Sequence, residues 1–257
     1  MDGKVTLAAL QQMKQDGRKI VGVVVYDYQM AQIVDRAGVD IASVGDSVGV
    51  NFWGHDSERD VTLDQMVLVC QAVRRGVTRA LVSCDVPFGS LQEGTAAAVR
   101  AASRLVEDCG ADLVKVDAGA SSVEAIRAMT QAGIPVWAQL GAESAAPIAE
   151  SLVREARQLE AAGAAVLDFR HSGPVAGPAV VRAVTIPVIG GLGGGPWLDG
   201  RVRASVAAIG YLAAAVGDTT DRYANVAEIA LAAITAFGDD VRAARQIRGG
   251  APAAPRS

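Results

Sequence analysis

The chain has 257 residues, 51% of them hydrophobic and 20% charged, with a formal net charge of −4 and a sequence pI near 5.3. That length and apolar content support a large core, either one α/β barrel or two smaller domains, while the acidic balance and the lack of any lysine–arginine run exclude a general nucleic-acid surface. No uncharged apolar run is long enough to span a bilayer, and the polar stretch 1–19 is unlike a signal peptide. The three cysteines, Cys70, Cys84 and Cys109, are odd in number and lack metal-type spacing, so they read as buried free thiols of a protein in a reducing cytoplasm.

In chain order, 5–15 reads as a short amphipathic helix capped by Thr6, with Leu7, Leu10 and Met13 on one side, suited to plug the bottom of a barrel. A strand over 19–25 ends at Tyr26-Asp27-Tyr28, a helix over 29–37 stops at Gly38, and a β-branched run over 39–44 forms the second strand. The polar loop 51–60 is longer than a plain βα connection, and Thr62 opens a helix over 63–75. Strand signals follow at 80–84, 112–117, 134–140, 164–170, 186–190 and 206–211, with helical patterns at 96–109, 123–132, 149–162 and 178–183. Two closing helices are expected over 225–237 and 240–246, and an Ala/Pro tail over 249–257 has no core to join, so it reads as disordered. Eight strand signals alternating with helical patterns predict a single-domain (β/α)8 TIM barrel over 1–248, whose sites lie at the carboxyl ends of strands. A doubly wound open sheet is the alternative.

Three of these strands finish in an aspartate. Val44-Gly45-Asp46-Ser47, Leu81-Val82-Ser83-Cys84-Asp85 and Leu113-Val114-Lys115-Val116-Asp117 each run from apolar residues into an acid. If the strands are parallel and adjacent, Asp46, Asp85 and Asp117 converge at one rim, where three hard oxygen donors suit Mg2+. Lys115, inside an otherwise apolar strand, is costly without a partner. The glycine-rich run 190–195 follows a late strand instead of opening a first βα unit, so it does not read as a dinucleotide fingerprint.

Tyr26-Asp27-Tyr28, Val44-Gly45-Asp46-Ser47, Gly54-His55-Asp56-Ser57, Val61-Thr62, Ala72-Val73-Arg74-Arg75-Gly76 and Asp85-Val86-Pro87-Phe88 stand at spacings that resemble the ketopantoate hydroxymethyltransferase family. The likeness continues through Gly110-Ala111, Val114-Lys115, 159–164 and Ile186-Pro187-Val188-Ile189-Gly190. The resemblance implies a barrel enzyme that binds Mg2+, chelates a 2-oxo acid and transfers hydroxymethyl from methylenetetrahydrofolate to it. It implies Asp46 and Asp85 as metal ligands, with Asp117 standing where the family has glutamate, and Ser47 and Lys115 as binders of the substrate carboxylate.

Three departures touch the chemistry. Gln139 stands where the family has a histidine, and its amide can hydrogen-bond to the substrate but cannot titrate. Arg170 takes the place of the glutamate held to be the general base, and arginine stays protonated. Asp168 shares its face two residues deeper, so either Asp168 or His171 takes the proton, or that proton is not the one removed. Arg170 reads either as a clamp for a second anionic group on the substrate or as an ion-pair partner of Asp168. The loop after the fifth strand is also shorter than in the family. The leading expectation is a diverged Mg2+ enzyme making or breaking a carbon–carbon bond next to a 2-oxo acid. The alternatives are an authentic 3-methyl-2-oxobutanoate hydroxymethyltransferase and a non-catalytic relative. A small-molecule substrate and a homo-oligomer are expected, with neither nucleic acid nor membrane as partner.

Overall fold

Eight parallel strands close on themselves in chain order. In the computed structural model, which describes residues 3–117, 122–141, 149–191 and 194–249, they are β1 (Ile20–Val25), β2 (Ile41–Val44), β3 (Leu81–Asp85), β4 (Leu113–Val116), β5 (Val136–Gln139), β6 (Val166–Asp168), β7 (Val188–Gly190) and β8 (Gly200–Ala204). The last pairs back onto the first. The helices are α1 (Leu7–Gln15), α2 (Tyr28–Arg36), α3 (Leu63–Gly76), α4 (Phe88–Gln92), α5 (Thr95–Glu107), α6 (Ser122–Gln131), α7 (Ala149–Ala161), α8 (Ala176–Ala183), α9 (Ser205–Ala208) and α10 (Val226–Arg242). This is the (β/α)8 barrel that the alternating pattern predicts. Among the described residues no helix is long and apolar enough to cross a membrane. The expected loop shortening after the fifth strand and the tail over 250–257 lie outside the described residues.

Strand parity decides what the barrel contains. Register partners in parallel strands share a face, so the inward set runs through Ile41 and Ser43, Leu81, Ser83 and Asp85, Leu113 and Lys115, Trp137 and Gln139, and Val166 and Asp168. The lower members, Ile20, Ile41, Leu81, Leu113, Trp137 and Val166, form one apolar cluster with Val5, Leu10 and Met13. The first helix therefore plugs the barrel floor through Leu10 and Met13, and its first turn is capped by Thr6, whose hydroxyl accepts from the N–H of Ala9. One step up, the layer turns polar: Ser43, Ser83, Lys115, Gln139 and Asp168 are all buried, and Ser83 donates to Ser43 at 2.8 Å. A polar layer seated on a dry apolar floor is the base of a site.

Two sequence expectations need correction. The eighth strand is Gly200–Ala204, where Arg201 and Arg203 are exposed and alternate with inward residues; the expected run 206–211 has the apolar content of a strand but opens in the short helix α9. Short apolar runs do not distinguish the two. The two closing helices are one, α10, whose first turn is capped by the Asn225 side chain on the N–H of Glu228. Gly238 reads as a break in the sequence, yet one glycine costs a helix only about 1 kcal/mol. The chain forms two compact units, Met1–Ser205 with the whole barrel, and Val206–Ser257 with α10. In the second unit α10 leaves Ile229, Leu231, Ile234, Phe237 and Val241 exposed.

Candidate active site

The charge gathers around one lysine. Lys115 points inward from β4 and is 6% exposed, with its Nζ 3.5 Å from Asp85, 3.6 Å from Asp117 and 3.7 Å from Asp168. Burial works against the ammonium, but Asp85, Asp117 and Asp168 together outweigh it and its pKa rises. Lys115 is thus a fixed cation at the carboxyl end of the barrel.

Asp46 begins the turn after β2, and Asp85 ends β3. Both acids are pushed above the usual carboxylate range. Burial is the main cause for each; the charge of Asp85 adds to it at Asp46, while Lys115 pulls Asp85 back only in part. The Oδ1 atoms of Asp85 and Asp168 are buried with no hydrogen-bond partner among the described residues. Two adjacent, desolvated carboxyl groups with a free oxygen make a donor set that fits a hard divalent cation such as Mg2+. That fit rests on Asp46 and Asp85. Among the described residues no group of three or more His, Cys, Asp or Glu is placed to hold a metal ion, and the structure turns Asp117 to Lys115 and Arg170 instead.

The strand expected to run to Arg170 ends at Asp168, but the two side chains are paired: Arg170 Nε lies 3.1 Å from Asp168 Oδ2, and its Nη2 lies 3.5 Å from Asp117 Oδ1. Burial opposes the guanidinium charge, but Asp168 and Asp117 raise its pKa further, so Arg170 stays protonated. His171 is exposed, with its backbone in the left-handed region at φ 50°. The structure does not bring it into this network among the described residues. Gln139 is buried on β5 in register with Asp168.

On the β2 side, sequence reasoning singled out Ser47 but not what holds it. Tyr26, at the end of β1, shares a hydrogen bond with Ser47 (Oη to Oγ 2.9 Å), and Asn51 Nδ2 donates to Tyr26 Oη at 3.1 Å. Phe52 packs on Tyr26 with ring centroids 5.1 Å apart. Burial raises the Tyr26 pKa against the lowering effect of both hydrogen bonds, so the phenol stays neutral. The signal was present in the sequence, a polar aromatic at a strand end, but nothing in the spacing pairs it with Ser47. Cys70, Cys84 and Cys109 are free and buried. The late glycine run packs tightly: a Cβ on Gly190 would meet Phe169 O at 2.4 Å and one on Gly195 the Trp197 ring at 2.2 Å.

The family model described as ketopantoate hydroxymethyltransferase matches residues 4–246 of this chain. The chain is 36% identical over 253 residues to a 3-methyl-2-oxobutanoate hydroxymethyltransferase of Cyanothece sp., covering 93% of this chain and 96% of that protein. It is 35% identical over 253 residues to the Salinibacter ruber protein of the same name, covering 93% and 95%. Its fold is similar to that of a phosphonopyruvate hydrolase solved in complex with oxalate and Mg2+, with a TM-score of 0.66 at 15% identity over 98% of this chain and 92% of that one.

Proposed function

The chain belongs to the ketopantoate hydroxymethyltransferase family, and from that premise we propose that it is an Mg2+-dependent enzyme that makes or breaks a carbon–carbon bond beside the carbonyl of a 2-oxo acid. The observation that carries this reading is the buried cation Lys115 beside the Asp46–Asp85 pair. A carboxylate finds its counter-ion there within reach of a place for a metal. Mg2+ held by Asp46 and Asp85 would act as a Lewis acid on the 2-oxo group. The phosphonopyruvate hydrolase of the same fold, which holds oxalate with Mg2+, supports this part of the reading.

The chain's own groups do the rest. Lys115 holds the substrate carboxylate, and Ser47 donates to it; with the Tyr26 hydroxyl as donor to Ser47 Oγ, the seryl O–H is left free to point at substrate. Gln139 supplies a further polar contact from β5. Arg170 cannot accept a proton at neutral pH, and His171 is exposed. We therefore assign removal of the proton next to the carbonyl to Asp168, whose Oδ1 is buried and has no hydrogen-bond partner among the described residues. A one-carbon electrophile at the formaldehyde oxidation level then adds to that carbon. The methylenetetrahydrofolate donor that the resemblance implies gains no support from the comparisons, so the reading stops at the class of electrophile.

A second reading, authentic 3-methyl-2-oxobutanoate hydroxymethyltransferase, is favoured by relatives of that name 36% identical over 93% of the chain. Against it stand Arg170 and Gln139. Incubating the protein with 2-oxoisovalerate and Mg2+ in D2O, with and without formaldehyde or methylenetetrahydrofolate as one-carbon donor, followed by NMR of the C3 position and of the product, separates the readings. Exchange with hydroxymethyl transfer establishes the second; exchange without transfer supports a changed acceptor. Absence of both exchange and Mg2+ binding sinks both readings. We also propose a homo-oligomer, because exposed Ile229, Ile234 and Phe237 on α10 are apolar enough to call for cover; a monomer in sedimentation at micromolar concentration would refute this.

A further inference from the structure

Asp117 differs from the other two strand-end acids. Its side chain is 40% exposed against 11% for Asp85, and its Oδ1 is already shared by two cations, Lys115 at 3.6 Å and Arg170 at 3.5 Å. Asp85 pairs with Lys115 alone and keeps a buried Oδ1 with no hydrogen-bond partner among the described residues. Arg170 is not free to move with Asp117, because its Nε is anchored on Asp168, which is 1% exposed. The guanidinium thus bridges two acids from two strands with β5 between them, a task that suits its rigid fork of donors.

We propose that Arg170 is a positioning residue that withholds Asp117 from the divalent cation, leaving Asp46 and Asp85 as its carboxylate ligands among the described residues. The inference rests on the Mg2+ reading above and sharpens it. For Asp117 to bring Oδ1 to a cation on Asp46 and Asp85 it must give up both ion pairs and leave Arg170 half satisfied, so the two cations hold the carboxylate in its present orientation. Arg170 also places a fixed positive charge close enough to act on Asp85, which opposes a second cation there. Mg2+ takes six oxygens and keeps waters readily, so a site with two carboxylates leaves several positions to exchangeable oxygens. The two oxygens of a 2-oxo acid are suited to fill them. Metal and substrate are then expected to bind together, each tightening the other by the same factor.

The test is a double-mutant cycle read by calorimetry with Mg2+ alone, with circular dichroism confirming each fold. Arg170→Met frees Asp117 and is expected to tighten Mg2+ by about tenfold. Asp117→Asn should leave the affinity within about twofold of the starting value, and the double variant should lose the gain that Arg170→Met gave. Should Arg170→Met fail to fold, Arg170→Lys serves, since one ammonium cannot bridge both acids and a smaller tightening is expected. A wild type with no measurable Mg2+ binding, alongside an Arg170 variant that binds, also supports the inference. Loss of about tenfold or more in Asp117→Asn alone overturns it, as does unchanged or absent binding in the Arg170 variants. Asp85→Asn is the control: unchanged Mg2+ affinity there defeats the cation reading as a whole, whereas the Asp117 and Arg170 results bear on this inference alone.

Discussion

Replacing Lys115 with methionine removes one cation from among three carboxylates and leaves a side chain of similar reach. At 3.5, 3.6 and 3.7 Å and an effective dielectric of ~20, each attraction is worth about 4.5 to 4.7 kcal/mol before desolvation is counted. Burying the ammonium offsets most of that, and the Asp117 contribution is partly screened because that acid is 40% exposed. Breaking a buried pair by removing one partner costs about 3 to 5 kcal/mol. Lys115→Met should lose stability within that range near pH 8. Without the lysine, Asp85 and Asp46, already raised by burial, rise further. A carboxyl group whose folded pKa exceeds its unfolded value makes the native state bind the extra protons, so stability falls as pH rises between about 4 and the raised folded value. The loss should therefore shrink markedly at pH 5.5, where the acids are free to take up protons. Urea denaturation at both pH values checks this. A loss below about 1 kcal/mol at pH 8, or one equal at both pH values, would show that the carboxylates do not depend on Lys115.

Asp46→Asn and Asp85→Asn should each weaken Mg2+ binding by at least about tenfold in calorimetry, while the metal-free melting temperature holds or rises as repulsion between two raised acids is relieved. Asp35 accepts from the backbone N–H groups of Thr78, Arg79 and Ala80 and from the Thr78 hydroxyl; burial opposes its charge, but these bonds win and lower its pKa. Asp35→Ala should cost roughly 1 to 3 kcal/mol at neutral pH without changing Mg2+ affinity, and the wild type should lose this contribution as acid denaturation carries the pH below about 4. Tyr26→Phe, which frees Ser47 from its partner, should raise KM for the 2-oxo acid by about tenfold or less with the fold intact, and an unchanged KM would detach Tyr26 from the site. Arg170→Glu should lower the native activity by at least about tenfold, ~1.4 kcal/mol, because it sets a third carboxylate between Asp168 and Asp117. A rise in hydroxymethyl transfer to 2-oxoisovalerate in that variant would instead establish the authentic transferase.

The barrel was legible because seven of its strands are short apolar runs bounded by glycine or a polar end, and because helical patterns separate them. β8 escaped that search for a physical reason: its outer face carries Arg201 and Arg203 in the open, so alternation replaces the uninterrupted apolar run of a strand covered on both faces. The turn Gly49–Trp53 is a π-helix and Glu58–Asp60 a 3-10 helix, and neither has the 3.6-residue period that a sequence scan detects. α4, five residues after Pro87 with no side-chain cap, is too short to show one.

The site was legible only as far as strand parity reaches. Position at a strand end put Asp46, Asp85 and Asp117 on one rim, and a period of two put Asp168 and Arg170 on one face, where the structure pairs them. Which acid meets which cation depends on reach across strands, and the Arg170–Asp117 bridge links residues 53 apart in sequence with β5 between their strands. No spacing rule carries that. The consequence is chemical: an arginine at the end of β6 does more than remove an acid from that place. It binds Asp117, just past β4, and anchors itself on the acid below it, while Asp168 Oδ1 has no hydrogen-bond partner among the described residues. If Asp168 is the base, as proposed, its place two residues deeper, roughly 6.6 Å along the strand at about 3.3 Å per residue, calls for a substrate carbon that lies lower in the barrel. That proposal expects the polar layer above Trp137 to limit the substrate: enlarging Ser43 or Ser83, which are buried and hydrogen-bonded to each other, should raise KM for bulky 2-oxo acids before small ones, and equal KM changes for both would refute it.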